Sequence, residues 1–184
     1  MVKEPRPGRV KTRLGAEIGM TEAACWFRRH ALSLLRRLRD PRWDIVLSVS
    51  PDREGLASRV WPSDLPRLAQ GRGDLGQRMA RALGALPGPA LLVGADIPGI
   101  EKVHIVRAFR ALGHAPSVIG PAADGGFWLV GLRHPGQQPA GIFAPVRWSH
   151  PDTLADALPT LPQPVALIDE LSDVDTARDL AKGR

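Results

Sequence analysis

The chain has no tyrosine, one cysteine, and no apolar run approaching the roughly 18 residues of a membrane span. Cys25 alone cannot form an internal disulfide, which fits a reducing compartment. With Trp26 and Phe27 beside it, Cys25 reads as a helix-face or core residue rather than a nucleophile. The charged N-terminus has no signal-peptide h-region, so a cytoplasmic protein without a membrane partner is expected. Aromatic residues make up only 5% and form no stripe with the basic residues, so nucleic acid is not the expected partner. His30, His104, His114, His134 and His150 are scattered without metal spacing, which with one cysteine argues against a zinc site. Neither a G-x-S-x-G elbow nor a G-x-x-x-x-G-K-[ST] loop occurs, so serine hydrolases and Walker-type NTPases drop out.

What is present is an ordinary soluble composition, 43% hydrophobic and 24% charged over 184 residues, sized for a single domain spanning 1–184. The net charge of +6 is unevenly placed: residues 1–42 carry +7 and the remainder −1. A basic segment on a near-neutral body suggests an anionic partner. Arg28, Arg29, Arg36, Arg37 and Arg39 lie on one expected helix, where a solvated face is the plainer reading. The sharper signal is the loop Pro5-Arg6-Pro7-Gly8-Arg9-Val10-Lys11-Thr12-Arg13-Leu14, which puts one glycine, one lysine and cationic arginines in a proline-stiffened stretch. Such loops present backbone N–H groups and cations to anions, usually after a buried strand. Only Met1-Val2-Lys3-Glu4 precede it, too few for the expected strand.

Helical and extended patterns alternate along the chain. Thr21 reads as the N-cap of a helix over 22–39, and Asp44 to Ser50 as a strand. A short helix is expected near 53–60 and a short extended piece over 65–69. A helix over 74–86 precedes Ala90 to Ala95, whose continuous apolar character predicts a strand buried on both faces. Residues 101–112 read as helix, 117–120 and 127–132 as strands. Ser149 is expected to cap a helix through Leu158, Val165 to Ile168 to form a strand, and Thr176 to open a terminal helix. The pattern predicts a three-layer α/β/α fold with a mostly parallel sheet.

In such a sheet, ligands bind beyond the carboxyl ends of strands. Asp96 stands there, just before Ile97-Pro98, and is placed to ligate Mg²⁺, which takes one or two carboxylates plus phosphate oxygens. Capping of the helix near 101 is the competing role. Asp124-Gly125-Gly126 lies between two strands, and by itself reads as a hairpin turn. Asp173 and Asp175 flank Val174, so in extended backbone both carboxylates face one side. They can share a cation or favour the next helix N-terminus; Asp179 reads as helix surface. Gly71-Arg72-Gly73-Asp74-Leu75-Gly76 imitates a dinucleotide fingerprint, but the stretch before it is short, polar and led by Pro66.

Taken together, P-R-P-G-R-V-K-T-R-L, Q-G-R-G-D-L-G-Q-R-M, G-A-D-I-P, G-P-A-A-D-G-G-F-W-L-V-G-L, R-W-S and D-V-D-T-A-R-D-L occur in this order. The set resembles the DUF2064 proteins, the radical-SAM/selenodomain-associated or arsenosugar-biosynthesis glycosyltransferases, over essentially the whole chain. The resemblance implies the GT-A nucleotide-diphospho-sugar transferase fold, which also serves nucleotidyltransferases. It places Gly8, Arg9, Lys11 and Arg13 over nucleotide phosphates, with Gln70, Asp74 and Arg78 bordering base and ribose. Asp96 becomes the main ligand of Mg²⁺ or Mn²⁺, Asp175 and Asp173 further acids near the metal, and Asp124 a general base on the acceptor side. The catalytic set so implied is Asp96, Asp124 and Lys11.

The implied activity is transfer from a nucleotide-diphosphate sugar to a small cytosolic acceptor. Nucleotidyl transfer releasing pyrophosphate is the second reading, and nucleotide or nucleic-acid binding without catalysis the third. The chain departs from the family pattern in three ways. The apolar strand before the loop is lacking, which leads to the expectation that Met1 is an internal methionine of a longer natural chain. Gly94-Ala95-Asp96 holds one acid where D-x-D would hold two. Phe127 and Trp128 stand where tyrosines are common. Base, sugar, acceptor, stereochemistry and oligomeric state are left open.

Overall fold

The computed structural model describes residues 1–182. In chain order the first elements are β1 (Val2–Lys3), α1 (Thr12–Ile18), α2 (Met20–Leu38), β2 (Leu47–Ser50), α3 (Asp52–Leu56) and β3 (Arg67–Ala69). Then come α4 (Leu75–Gly84), β4 (Ala90–Val93), α5 (Lys102–Leu112), β5 (Ser117–Pro121) and β6 (Phe127–Leu132). The chain continues with α6 (Thr153–Ala157), β7 (Val165–Leu167) and α7 (Ala177–Lys182). Two compact units share it: one takes Met1–Ala69, Ala95–Glu101 and the segment from Asp173 onward, the other Gln70–Gly94 and Lys102–Ser172. Among the described residues, no helix is long and apolar enough to cross a membrane.

The first unit is built on a parallel sheet in the order β1-β2-β3. Four residues ahead of the loop proved sufficient for a strand, contrary to expectation. Val2 pairs with Val49, and the Glu4 N–H donates to the Ser50 carbonyl at 2.7 Å. Two ladder residues suffice because Val2 also enters an apolar core with Val10, Phe27, Leu35, Leu47, Val49 and Trp61. Helix α2 closes that core with Ala24, Phe27, Ala31 and Leu35, spaced three and four apart. Its opposite face carries Arg28, Arg29, Arg36 and Arg37 into solvent, and Cys25 is exposed there too.

Helix boundaries shift for identifiable reasons. Thr21 lies inside α2, which starts at Met20 after Gly19, a residue at φ 97° that breaks α1 from α2. Helix α3 stops at Leu56, earlier than expected, and Arg67 of β3 gathers the carbonyls left over. Its guanidinium donates to Gly55 (3.3 Å), Leu56 (2.8 Å), Ser58 (2.7 Å) and Trp61 (3.0 Å).

The second unit holds a mixed sheet in the order β4-β6-β5-β7. Strand β6 runs antiparallel to β4 and β5, while β7 runs parallel to β5. The link over 122–126 is too short for a crossover, so β5 and β6 form a hairpin. Trp128, Leu129 and Val130 of β6 and Val118 and Ile119 of β5 are fully buried. Strand β4 is less enclosed than its apolar run suggested: within this sheet it pairs with β6, and Leu91, Leu92 and Val93 are half-buried. The helix expected from Ser149 begins only at Thr153. The Asp152 N–H donates to His150 Nδ1 and the Thr153 N–H to the His150 carbonyl, a turn that delays the helix.

Trp128 is the keystone of this sheet. Its Nε1–H donates to the Asp169 carbonyl at 2.9 Å, so the indole cannot slide. A Cβ at Gly120 would stand 2.5–2.8 Å from three indole atoms. Gly120→Ala is therefore expected to lower stability by about 1–3 kcal/mol, read as a lower urea midpoint; an unchanged midpoint would show the indole to be freely movable.

Candidate functional site

The loop over residues 5–11 turns tightly, with the Arg9 N–H donating to the Arg6 carbonyl at 3.0 Å and Gly8 at φ 74°. Val10 is buried and anchors it. Lys11, at φ 45° and ψ 50°, then takes the left-handed conformation as the N-cap residue of α1. For a residue with a Cβ this costs about 1–2 kcal/mol. The conformation turns its side chain into the unit, where only 7% of it is exposed.

Two other segments supply acids to the same place. Segment Ala95–Glu101 is seated by buried Ile97 and Ile100, and Arg37 of α2 donates to the Pro98 carbonyl at 2.7 Å. The Val174 N–H lies 3.4 Å from the Asp96 carbonyl and joins this segment to the run before α7. Val174 itself is buried against Leu14 and Ala23, so its neighbours Asp173 and Asp175 face the other way. Carboxylate oxygens of Asp96, Asp173 and Asp175 come within 4.8 Å of one another.

Lys11 lies among them. Its Nζ is 2.7 Å from Asp96 Oδ2, 2.7 Å from Asp175 Oδ1 and 3.8 Å from Asp173 Oδ2. Burial pulls the ammonium pKa down, but the charge of Asp96 and the hydrogen bonds to Asp175 and Asp96 outweigh it, and the net shift is upward. Lys11 is thus a fixed cation at neutral pH. Arg13, largely exposed, reaches Asp175 Oδ2 at 3.2 Å. Arg9 and Arg6 turn instead to Glu54, at 3.4 and 3.3 Å.

Two further residues, not expected at the site, neighbour this cluster. His30 stacks on Trp26 one helical turn earlier, with ring centroids 5.1 Å apart. Burial holds its pKa below the usual value, as do the charges of Arg37 and Lys11, while Asp96 opposes them. The Trp-x-x-x-His spacing on α2 was the available signal. Asp179, taken for helix surface, accepts from the N–H groups of Asp175 (3.2 Å) and Thr176 (2.9 Å) and from Thr176 Oγ1 (2.7 Å). It therefore orients the peptide next to Asp175, and T-x-x-D was readable as a capping pattern.

The other expected residues belong to the second unit. Gln70 is buried, and its carbonyl accepts from Arg81. Asp74 caps α4 in a reciprocal box: its carboxylate accepts from the Gln77 N–H at 2.8 Å, and its own N–H donates to Gln77 Oε1 at 3.2 Å. Arg78 donates to the Gly73 carbonyl at 2.9 Å. In the glycine pattern before α4, Gly71 and Gly73 turn at positive φ and Gly76 lets Phe143 and Trp148 approach its backbone. Packing accounts for them without a dinucleotide. The three-residue β3 does precede this pattern, although it is only half-buried. Asp124 Oδ1 accepts from the Gly126 N–H at 2.9 Å inside the β5–β6 hairpin.

Residues 34–150 match the family described as uncharacterized proteins conserved in bacteria, DUF2064. The chain belongs to the DUF2064 family. A candidate nucleotide-diphospho-sugar transferase from Desulfovibrio desulfuricans G20 is 30% identical, with a TM-score of 0.81 over 95% of this chain and 80% of that one. Fold likeness extends to the 4-diphosphocytidyl-2C-methyl-D-erythritol synthase of Anaerococcus prevotii DSM 20548. That likeness has a TM-score of 0.58 at 11% identity, covering 85% of this chain and 83% of the other. It also extends to a homologue of Mycobacterium tuberculosis rv0371c from Mycobacterium sp. strain JC1. There the TM-score is 0.52 at 19% identity, covering 83% and 79%. No curated protein matches the chain. The DUF2064 chain therefore has a fold of the nucleotide-diphospho-sugar transferase kind.

For the divalent cation this fold often uses, the donor set fits. Three hard carboxylate oxygens converge, and a cationic nitrogen already bridges two of them. Asp96, Asp175 and Asp173, all named from the resemblance as acids at or near a metal, lie together.

Asp74→Ala is expected to lower stability by about 0.5–2 kcal/mol through loss of the cap, with Asp74→Ser recovering most of it in thermal melts. Lower nucleotide affinity in the well-folded Asp74→Ser variant would assign Asp74 a binding role besides.

Proposed function

We propose that this DUF2064 protein is a Mg²⁺-dependent (or Mn²⁺-dependent) glycosyltransferase that moves a sugar from a nucleotide diphosphate to the hydroxyl of a small acceptor. The observation that carries this reading is the convergence of Lys11 and Arg13 with Asp96, Asp173 and Asp175 from three separate stretches of chain. Cations beside an acid cluster suit a ligand that is itself an anion bound through a metal. The likeness to the Desulfovibrio protein supports the same substrate class.

In sugar transfer the bond from the anomeric carbon to the diphosphate breaks, and negative charge collects on the departing phosphate oxygens. Asp96 and Asp175 would hold a divalent cation, whose chemistry there would be neutralisation of that charge. Lys11 and Arg13 hold the same oxygens by charge-assisted hydrogen bonds, with Gly8 and Arg9 bordering them on the loop. Asp124 is assigned as the general base for the acceptor hydroxyl, as the resemblance implies; its Oδ1 accepts from the Gly126 N–H. For Gln70 and Asp74 the family resemblance implies contacts to base and ribose.

The decisive measurement is the product released with a panel of nucleotide-sugars and nucleoside triphosphates in Mg²⁺. Nucleoside diphosphate is expected from a nucleotide-sugar, and Asp96→Ala is expected to lower kcat/KM by about 100-fold or more. Pyrophosphate released from a triphosphate would assign nucleotidyl transfer instead. Neither product, together with unchanged Mg²⁺-dependent nucleotide binding in Asp96→Ala, would overturn the site.

A further inference from the structure

Lys11 does more than wait for phosphate. Its ammonium sits at 2.7 Å from an oxygen of Asp96 and 2.7 Å from an oxygen of Asp175, the same carboxylates that suit a divalent cation. Its third acid contact, Asp173 Oδ2, is at 3.8 Å. Only 7% of the side chain is exposed, so this is a packed arrangement rather than one conformer of a loose surface lysine. The N-cap position of α1 in left-handed backbone aims it there. Thus the lysine and a divalent cation compete for one pair of oxygens.

We propose that Lys11 is a tethered counter-ion that keeps the acid cluster closed to free divalent cations, and that the cation enters only as Lys11 transfers to the diphosphate of an arriving nucleotide. The charges support an exchange rather than joint occupancy. Three carboxylates against Lys11 and Arg13 leave the cluster with one net negative charge. A free divalent cation meeting it would gain little and would face the ammonium at close range. A nucleotide diphosphate changes both terms, because its oxygens offer the lysine a new anionic partner and the cation further hard ligands. The lysine stem is flexible enough for such a move once its partners change. By linkage, nucleotide and cation must then strengthen each other's binding reciprocally.

This inference rests on the nucleotide-diphosphate reading only for its second half, and the test separates the two. Mn²⁺ binding is measured by electron paramagnetic resonance of the free ion, without nucleotide, for the wild type, Lys11→Met and Lys11→Met/Asp96→Asn. Lys11→Met is expected to bind Mn²⁺ at least about tenfold more tightly than the wild type, since one positive charge and the competing donor are gone. The added Asp96→Asn change should reverse the gain. Equal Mn²⁺ affinity in wild type and Lys11→Met would overturn the exchange.

The wild type gives a second readout that needs no variant to fold. Mn²⁺ alone should leave its melting temperature nearly unchanged, while Mn²⁺ with UDP or GDP should raise it. A wild type stabilised by Mn²⁺ alone as strongly as by Mn²⁺ with nucleotide would also overturn the exchange. Tighter Mn²⁺ binding in Lys11→Met, with no response of the wild type to either nucleotide, would keep the lysine's blocking role and sink the nucleotide reading.

Discussion

Everything in the candidate site hangs on one buried ammonium. Lys11 draws together carboxylates from two stretches of chain that are remote from it in sequence, at Asp96 and at Asp173–Asp175. Three acids so near one another would repel and spread without a cation among them. A half-buried acid cluster left unneutralised would cost more than the backbone strain that delivers the lysine. The N-terminal loop, the segment after β4 and the run before α7 are therefore coupled electrostatically, on top of their apolar packing.

Much of this was legible in the sequence. The alternation of Asp173, Val174 and Asp175 declared which side chains share a face, because period-two geometry is local and needs no tertiary knowledge. Apart from β1 and α1, the strands and helices were found in order for the same reason: their apolar spacing records which face is buried. The hairpin at Asp124-Gly125-Gly126 was equally local. What the residues alone could not supply was the meeting of Lys11 with Asp175, 164 positions away. Likeness to a family put Lys11 on the phosphates and Asp175 by the metal; their direct pairing is seen only in the folded chain.

The parts that stayed hidden share a cause. The ends of α2 and α3 depend on groups distant from them or on a backbone conformation, not on local propensity. Gly19 at positive φ, not Thr21, sets the start of α2, and Arg67 accepts the role of C-cap from eleven and twelve residues downstream. Strand β1 was missed because two residues carry almost no periodic signal, yet Val2 gains enough burial to hold a register.

Val174 ties the spacing of two acids to the fit of one aliphatic side chain against Leu14 and Ala23. Charge geometry at the surface of the cluster is thereby inherited from dispersion contacts beneath it. A substitution that loosens those contacts would move the two carboxylates without altering either acid.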